Sequence, residues 1–175
     1  MYDQNRVTKE VHDVLNMCKE VQAHPFNFQQ NFLENKNYLN SKCTKDYIFQ
    51  IDADEIPSDF LVENLPLILQ DNPVDLLITP RKNLVKGLTQ DHIKKWGWIV
   101  TEDGRVNWPD YQKRIYKNTA SIQWTGHVVH GMVTGYKEYV MLPAQDEFCI
   151  IHNKTIDRQE SQNNRYDKIE KGELK

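Results

Sequence analysis

The chain has 175 residues, 39% hydrophobic and 27% charged, which fits one domain with a substantial core. A formal net charge of −3 and a pI of about 6.1 leave no global basic field of the kind that advertises nucleic acid or a membrane surface. No apolar run is long enough to span a bilayer, and none reads as a signal peptide. Cys18, Cys43 and Cys149 are odd in number and widely spaced, so no disulfide framework is read and a cytoplasmic protein with reduced thiols is expected.

In chain order, Met1 to Asn5 read as a strand end or a tail. Val11, Val14, Leu15 and Cys18 follow helical spacing and predict a helix over Thr8–Glu20. Val21–Phe26 is a candidate strand closed by Pro25. A second helix is predicted over Phe28–Lys42, with Phe28, Phe32, Leu39 and Cys43 on its buried side. Tyr47–Ile51 reads as a buried strand, followed by a helix over Ser58–Gln70 that is irregular at Pro66, and a strand over Val74–Thr79. This alternation predicts a layered α/β sheet.

After Pro80 the character changes. Arg81, Lys82, Lys86, Lys94 and Lys95 are scattered around Trp96 and Trp98. Tyr111–Tyr116, Ser121–Trp124 and His127–Val133 read as short antiparallel strands, and Phe148–Ile151 as one more that ends at His152. A terminal helix over Thr155–Lys171 has Asp157 in its first turn and Gly172 as its stop. Its apolar face is meagre, so it is expected to lie over the sheet edge or to order on ligand binding.

The chemistry concentrates at Asp52-Ala53-Asp54-Glu55, where the apolar strand ends. Residues two apart on a strand share a face, so Asp52 and Asp54 are expected to point the same way. Two adjacent carboxylates repel unless a cation lies between them. A hard divalent ion completed by water and substrate phosphates suits so sparse an oxygen set. The plain alternative is a polar loop, since a D-x-D triplet by itself is a weak signal.

His127 and His130 are three apart; on a strand they face opposite sides, so at most one would look into a site. For His130 a site role stands beside that of a buried, hydrogen-bonded structural histidine. For His152 the alternatives are a place on the same rim as Asp54 and a strand-end residue at the surface. Trp96, Trp98, Trp108, Trp124 and Tyr111 could offer flat faces to a sugar, although most aromatic residues in a domain of this size are core. Arg114 could meet a phosphate bidentately or pair with nearby acids.

The order of motifs resembles a family. Phe28-Gln-Gln-Asn-Phe-Leu-Glu-Asn-Lys-Asn-Tyr-Leu precedes the Asp-Ala-Asp-Glu strand. Trp108-Pro-Asp-Tyr-Gln-Lys-Arg-Ile-Tyr, Trp124-Thr-Gly-His-Val-Val-His and Ile151-His152 follow it. From about Phe26 to His152 this is similar to the family 2 glycosyltransferases of the GT-A fold, especially the lipopolysaccharide-core type. The resemblance implies a single GT-A-like domain over 1–175, a three-layer sandwich around a mixed central sheet. It would comprise a partial nucleotide- and metal-binding half (1–80), an acceptor half (81–154) and a C-terminal helix (155–175). The family's opening strand–helix unit, which cradles the nucleoside, has no counterpart here, so the fold is expected to be N-terminally truncated and completed by an oligomer or a partner chain.

By the same resemblance, Mn²⁺ or Mg²⁺ would be held by Asp52, Asp54 and His152. A nucleotide-sugar donor would meet Asp3, Asp52, Asp54 and Arg114. Asp110 or His130 would act as the base, since Gly131 stands where family members often carry Glu. The implied activity is transfer of a sugar to an acceptor that the sequence does not specify: a glycan, a lipid-linked glycan, a protein or modified DNA. Two other classes fit in part. One is a non-catalytic binding or assembly protein derived from a glycosyltransferase. The other is a haloacid-dehalogenase-like phosphatase, which also begins from a strand ending in D-x-D but needs a later Gly-Asp-x-x-x-Asp that is not found.

Overall fold

In a computed structural model that describes residues 1–174, a mixed six-stranded sheet carries helices and a hairpin on its faces. Lys175, the last residue of the expected terminal segment, lies outside the described residues. The first elements are short: β1 (Tyr2–Asp3), α1 (Lys9–Met17), β2 (Pro25–Phe26) and α2 (Phe32–Asn40). Strands β1 and β2 pair in parallel, apart from the main sheet. Of the strand expected over Val21–Phe26, only its last two residues find a partner.

Helix α2 starts four residues later than its apolar spacing predicts. Gln30 takes a positive φ of 59°, which a helix cannot continue, and Asn31 then caps the helix by accepting from the amides of Leu33 and Glu34.

The main sheet is assembled from β3 (Tyr47–Phe49), β4 (Glu55–Pro57), β5 (Leu76–Lys86), β6 (Arg105–Lys117), β9 (Tyr139–Met141) and β10 (Ile150–Thr155). Its order is β3-β6-β5-β10-β4. One edge of β5 is shared: β9 pairs with Leu76–Ile78 and β10 with Arg81–Lys86, both in parallel. Pro80 does not end β5 at Thr79 as expected. It falls where one neighbour hands over to the next, a place where a missing donor is tolerated. Pro57 likewise sits on β4, the edge strand, antiparallel to β10.

Period-2 alternation divides the core between the two faces. Ile48, Leu76, Ile78 and Tyr116 pack on one face with Leu33 of α2 and with Trp124 and Val133. The last two belong to the hairpin β7 (Gln123–Gly126) and β8 (Gly131–Thr134). Leu77, Ile115 and Phe49 pack on the other face against Leu61, Leu65 and Ile68 of α3 (Asp59–Asp71). Ser58 caps α3 by accepting from the Leu61 amide, and Pro66 lies inside the helix. The result is a mixed α/β fold with packed side chains on both faces of the sheet.

Helix α4 (Gln90–Trp96) was not anticipated. Thr89 and His92 form a reciprocal capping box at its start, and Gly97 ends it with a φ of 63°. Helix α5 (Ile156–Glu170) runs from the Thr155 cap almost as predicted. No helix among the described residues is long and apolar enough to cross a membrane. The cysteines are free, and only Cys149 is buried.

Leu77 is fully buried between β6 and α3, whereas Ile56 on the edge strand is 63% exposed. Leu77→Ala should lower unfolding stability by about 3 kcal/mol. Ile56→Ala should change it by less than about 0.5 kcal/mol. Urea unfolding of both variants checks the assignment of the core.

Candidate functional site

Asp52 and Asp54 lie in a turn beyond β3 rather than on its last residues, so shared strand parity does not set their directions. The Glu55 amide donates to the Asp52 carbonyl and closes that turn at 3.0 Å. Even so, both carboxylates face one cleft of about 670 Å³, also lined by Arg81, Asp110, Arg114, His130 and His152. Six residues selected from sequence, at positions 52, 54, 110, 114, 130 and 152, are thereby brought together.

Glu55 organises the floor. Its Oε1 accepts from Arg81 Nη1 at 2.9 Å and from Arg114 Nη2 at 2.7 Å, while Oε2 accepts from the Asp52 amide at 3.1 Å. Arg114 also donates to Asp52 Oδ2 at 2.6 Å, and Lys36 Nζ stands 3.6 Å from Asp52 Oδ1. Arg114 therefore pairs with acids, the second of its expected roles. Burial acts to lower the Arg114 pKa, and the Asp52 and Glu55 carboxylates outweigh it and hold the group above its ordinary value. Burial likewise acts to raise the Asp52 carboxyl, and Lys36 and Arg114 overcome it, so that carboxyl is held below the usual value. Burial draws the Lys36 ammonium down to about 8 against the pull of Asp52; it lies 3.9 Å above the Trp124 ring.

Asp110 accepts from both Nε and Nη2 of Arg81, from Asn83 Nδ2 at 2.8 Å and from Gln112 Nε2 at 2.8 Å. Both carboxylate oxygens are thus occupied by protein donors, which leaves neither facing the cleft without a partner.

His152 is not a surface residue at a strand end. It is the third residue of β10, 7% exposed, with Nδ1 2.8 Å from Asn83 Oδ1 and Nε2 3.4 Å from Asp54 Oδ2. Because Asn83 Nδ2 is given to Asp110, its carbonyl oxygen faces the imidazole, which places the neutral ring's proton on Nδ1. The Nε2 lone pair is then turned toward Asp54. Arg158 Nη2 reaches the same Asp54 oxygen at 3.2 Å. In its protonated form His152 instead donates from Nε2, and that hydrogen bond, with the Lys154 and Arg158 charges, holds the Asp54 carboxyl well below the usual range.

His127 and His130 lie on a bend between β7 and β8, not on a strand. Both therefore face one partner: Glu170 Oε1 is 3.7 Å from His127 Nδ1 and 3.5 Å from His130 Nε2. His130 is exposed, which removes the reading of it as a buried structural residue. Of the candidate aromatic residues, Trp98 and Trp124 line the cleft. Asp3 does not. Its carboxylate accepts from the Asn5 amide and it lines a second cavity, beside Phe28 and Gln30.

Lys36, Glu55, Arg81 and Asn83 were missed as site residues. Asn83 pairs directly with His152 across β5 and β10, and Glu55 with His152 across β4 and β10, so register rather than sequence spacing aligns them. Among the described residues no three His, Cys, Asp or Glu side chains are gathered into a metal-ligand set. An octahedral ion such as Mg²⁺ is commonly held by one or two protein carboxylates, with water and phosphate supplying the rest. Asp54 Oδ2 offers one such carboxylate, and His152 Nε2, oriented from behind by Asn83, a nitrogen donor 3.4 Å from it. Comparison with protein-family models and with curated proteins found no match.

Glu55→Ala leaves two guanidiniums without their shared carboxylate and should cost about 3–5 kcal/mol. Asp52 is 42% exposed at its side chain, so Asp52→Asn should cost less. A carboxyl whose folded pKa is depressed stabilises the fold above its unfolded pKa of about 4, and loses that contribution as pH falls through the folded value. Asp52→Asn should therefore flatten the acid limb of stability, read as urea midpoints between about pH 5 and pH 2.

Proposed function

We propose that the chain is a GT-A-like glycosyltransferase domain that transfers a sugar from a nucleotide-sugar donor to an acceptor hydroxyl. The observation that carries this reading is convergence. Asp52, Asp54, Asp110, Arg114, His130 and His152, dispersed along the chain, line one cleft. The sugar, the base and the acceptor stay unassigned. A homo- or hetero-oligomeric working form belongs to the same proposal.

In this reading Asp54 and His152 hold Mn²⁺ or Mg²⁺, which when bound offsets the charge that develops on the leaving diphosphate. The remaining tasks fall to the chain's own residues. Asn83 fixes the His152 ring, and Glu55 with Arg114 holds Asp52 beside the donor. Lys154 lines the same cleft and adds a cation for phosphate oxygens; its burial lowers its pKa. His130 is the better-placed base, because it is exposed at the cleft with Glu170 beside it to orient the ring. Asp110 serves to hold Arg81.

A second reading, a non-catalytic glycosyltransferase-derived binding protein, is favoured by one observation: protein donors already engage both Asp110 oxygens.

Uridine diphosphate with Mn²⁺, used as a probe, should raise the thermal midpoint, and Asp54→Ala should abolish that shift while leaving a folded protein. An unchanged shift in the variant would remove Asp54 from the site. Donor hydrolysis that falls at least tenfold in His130→Ala, with the thermal shift retained, supports the enzyme. A retained shift with no hydrolysis in any form of the protein supports the binding reading.

A further inference from the structure

One oxygen of Asp54 has two protein partners. His152 Nε2 and Arg158 Nη2 both approach Oδ2, at 3.4 and 3.2 Å. Of the two, the guanidinium carries a permanent positive charge. Arg158 stands in the first turn of α5, just beyond the Thr155 cap, and its side chain is 61% exposed. An exposed pair of this kind is weakly held and readily exchanged.

We propose that Arg158 is a resident stand-in for a divalent cation: its guanidinium occupies the place on Asp54 that the metal needs, and the two exclude each other. This inference rests on the reading of Asp54 and His152 as a metal site. The exclusion follows from distance and charge. A cation held at Asp54 Oδ2 would compete for that oxygen with a guanidinium nitrogen already 3.2 Å from it, and the two positive charges repel. Lys154 and Arg81 add positive charge nearby, and Glu55 does not compensate because both of its oxygens are already engaged. Metal entry therefore requires the Arg158 guanidinium to leave Asp54 Oδ2. In the resting chain the contact is autoinhibitory toward metal, and it ties the first turn of α5 to the Asp52–Glu55 turn.

Calorimetric titration with Mn²⁺ alone tests this on the wild type, Arg158→Gln, Arg158→Lys and Asp54→Asn. Arg158→Gln should bind Mn²⁺ about 2- to 5-fold tighter than the wild type, the range set by an exposed ion pair. Arg158→Lys should stay within about 2-fold of the wild type, because the competing charge is kept. Equal or weaker binding by Arg158→Gln overturns the proposal, as does an equal gain in Arg158→Lys. Failure of the underlying metal reading looks different: Mn²⁺ binds Asp54→Asn as well as it binds the wild type, or binds none of the proteins, and either result overturns both.

Discussion

A single buried carboxylate, Glu55, holds the cleft in shape. It joins Arg81 on β5 to Arg114 on β6 and also accepts the Asp52 amide, so three strands and one turn meet on two oxygen atoms. Its side chain is only 1% exposed. Charges withdrawn that far from water persist only when each is paired and hydrogen-bonded. Arg81 meets this demand by forking onto Asp110, its direct cross-strand partner, whereas Arg114 meets it in part: Nη2 reaches Asp52 and Glu55, and Nε and Nη1 find no partner among the described residues.

The chemistry of the site follows from this frame and from register. Asn83, His152 and Glu55 stand in one row across β5, β10 and β4. Asn83 gives its amide hydrogens to Asp110 and its carbonyl to His152, so the network that supports Asp110 also sets the direction of the imidazole. Asp54 escapes the floor network and looks to His152 and Arg158. Of the two acids in the D-x-D motif, Asp52 is thus built into the scaffold, and Asp54 is the one with a partner that can leave.

Much of this was legible in the sequence. Ser58 signalled a helix start because a hydroxyl before an apolar run is a local device, independent of the rest of the fold. Asp52, Asp54, Arg114 and His152 stood out for the same reason: each sits in or beside a recognisable run. What depends on pairing was hidden. Glu55 read as one more acid in a polar loop, and nothing local reports that two guanidiniums from later strands will enclose it. Lys36 and Asn83 carry no motif at all. Pro80 misled because a central-strand proline is ordinarily excluded, and only the hand-over from β9 to β10 makes room for it. His127 and His130 were assigned to a strand by their valine neighbours, whereas the tight link from β7 to β8 needs those residues for its bend.

The central claim is that the Asp54–His152 corner is where a divalent cation and a diphosphate meet. The most direct measurement is NMR of the histidine side chains during titration with paramagnetic Mn²⁺ at sub-stoichiometric ratios. The account predicts that the His152 ring resonances broaden first, and that His12 on α1 and His24 before β2 stay sharp at the same ratio. Preferential broadening of any other histidine, or uniform broadening of all six, would contradict it.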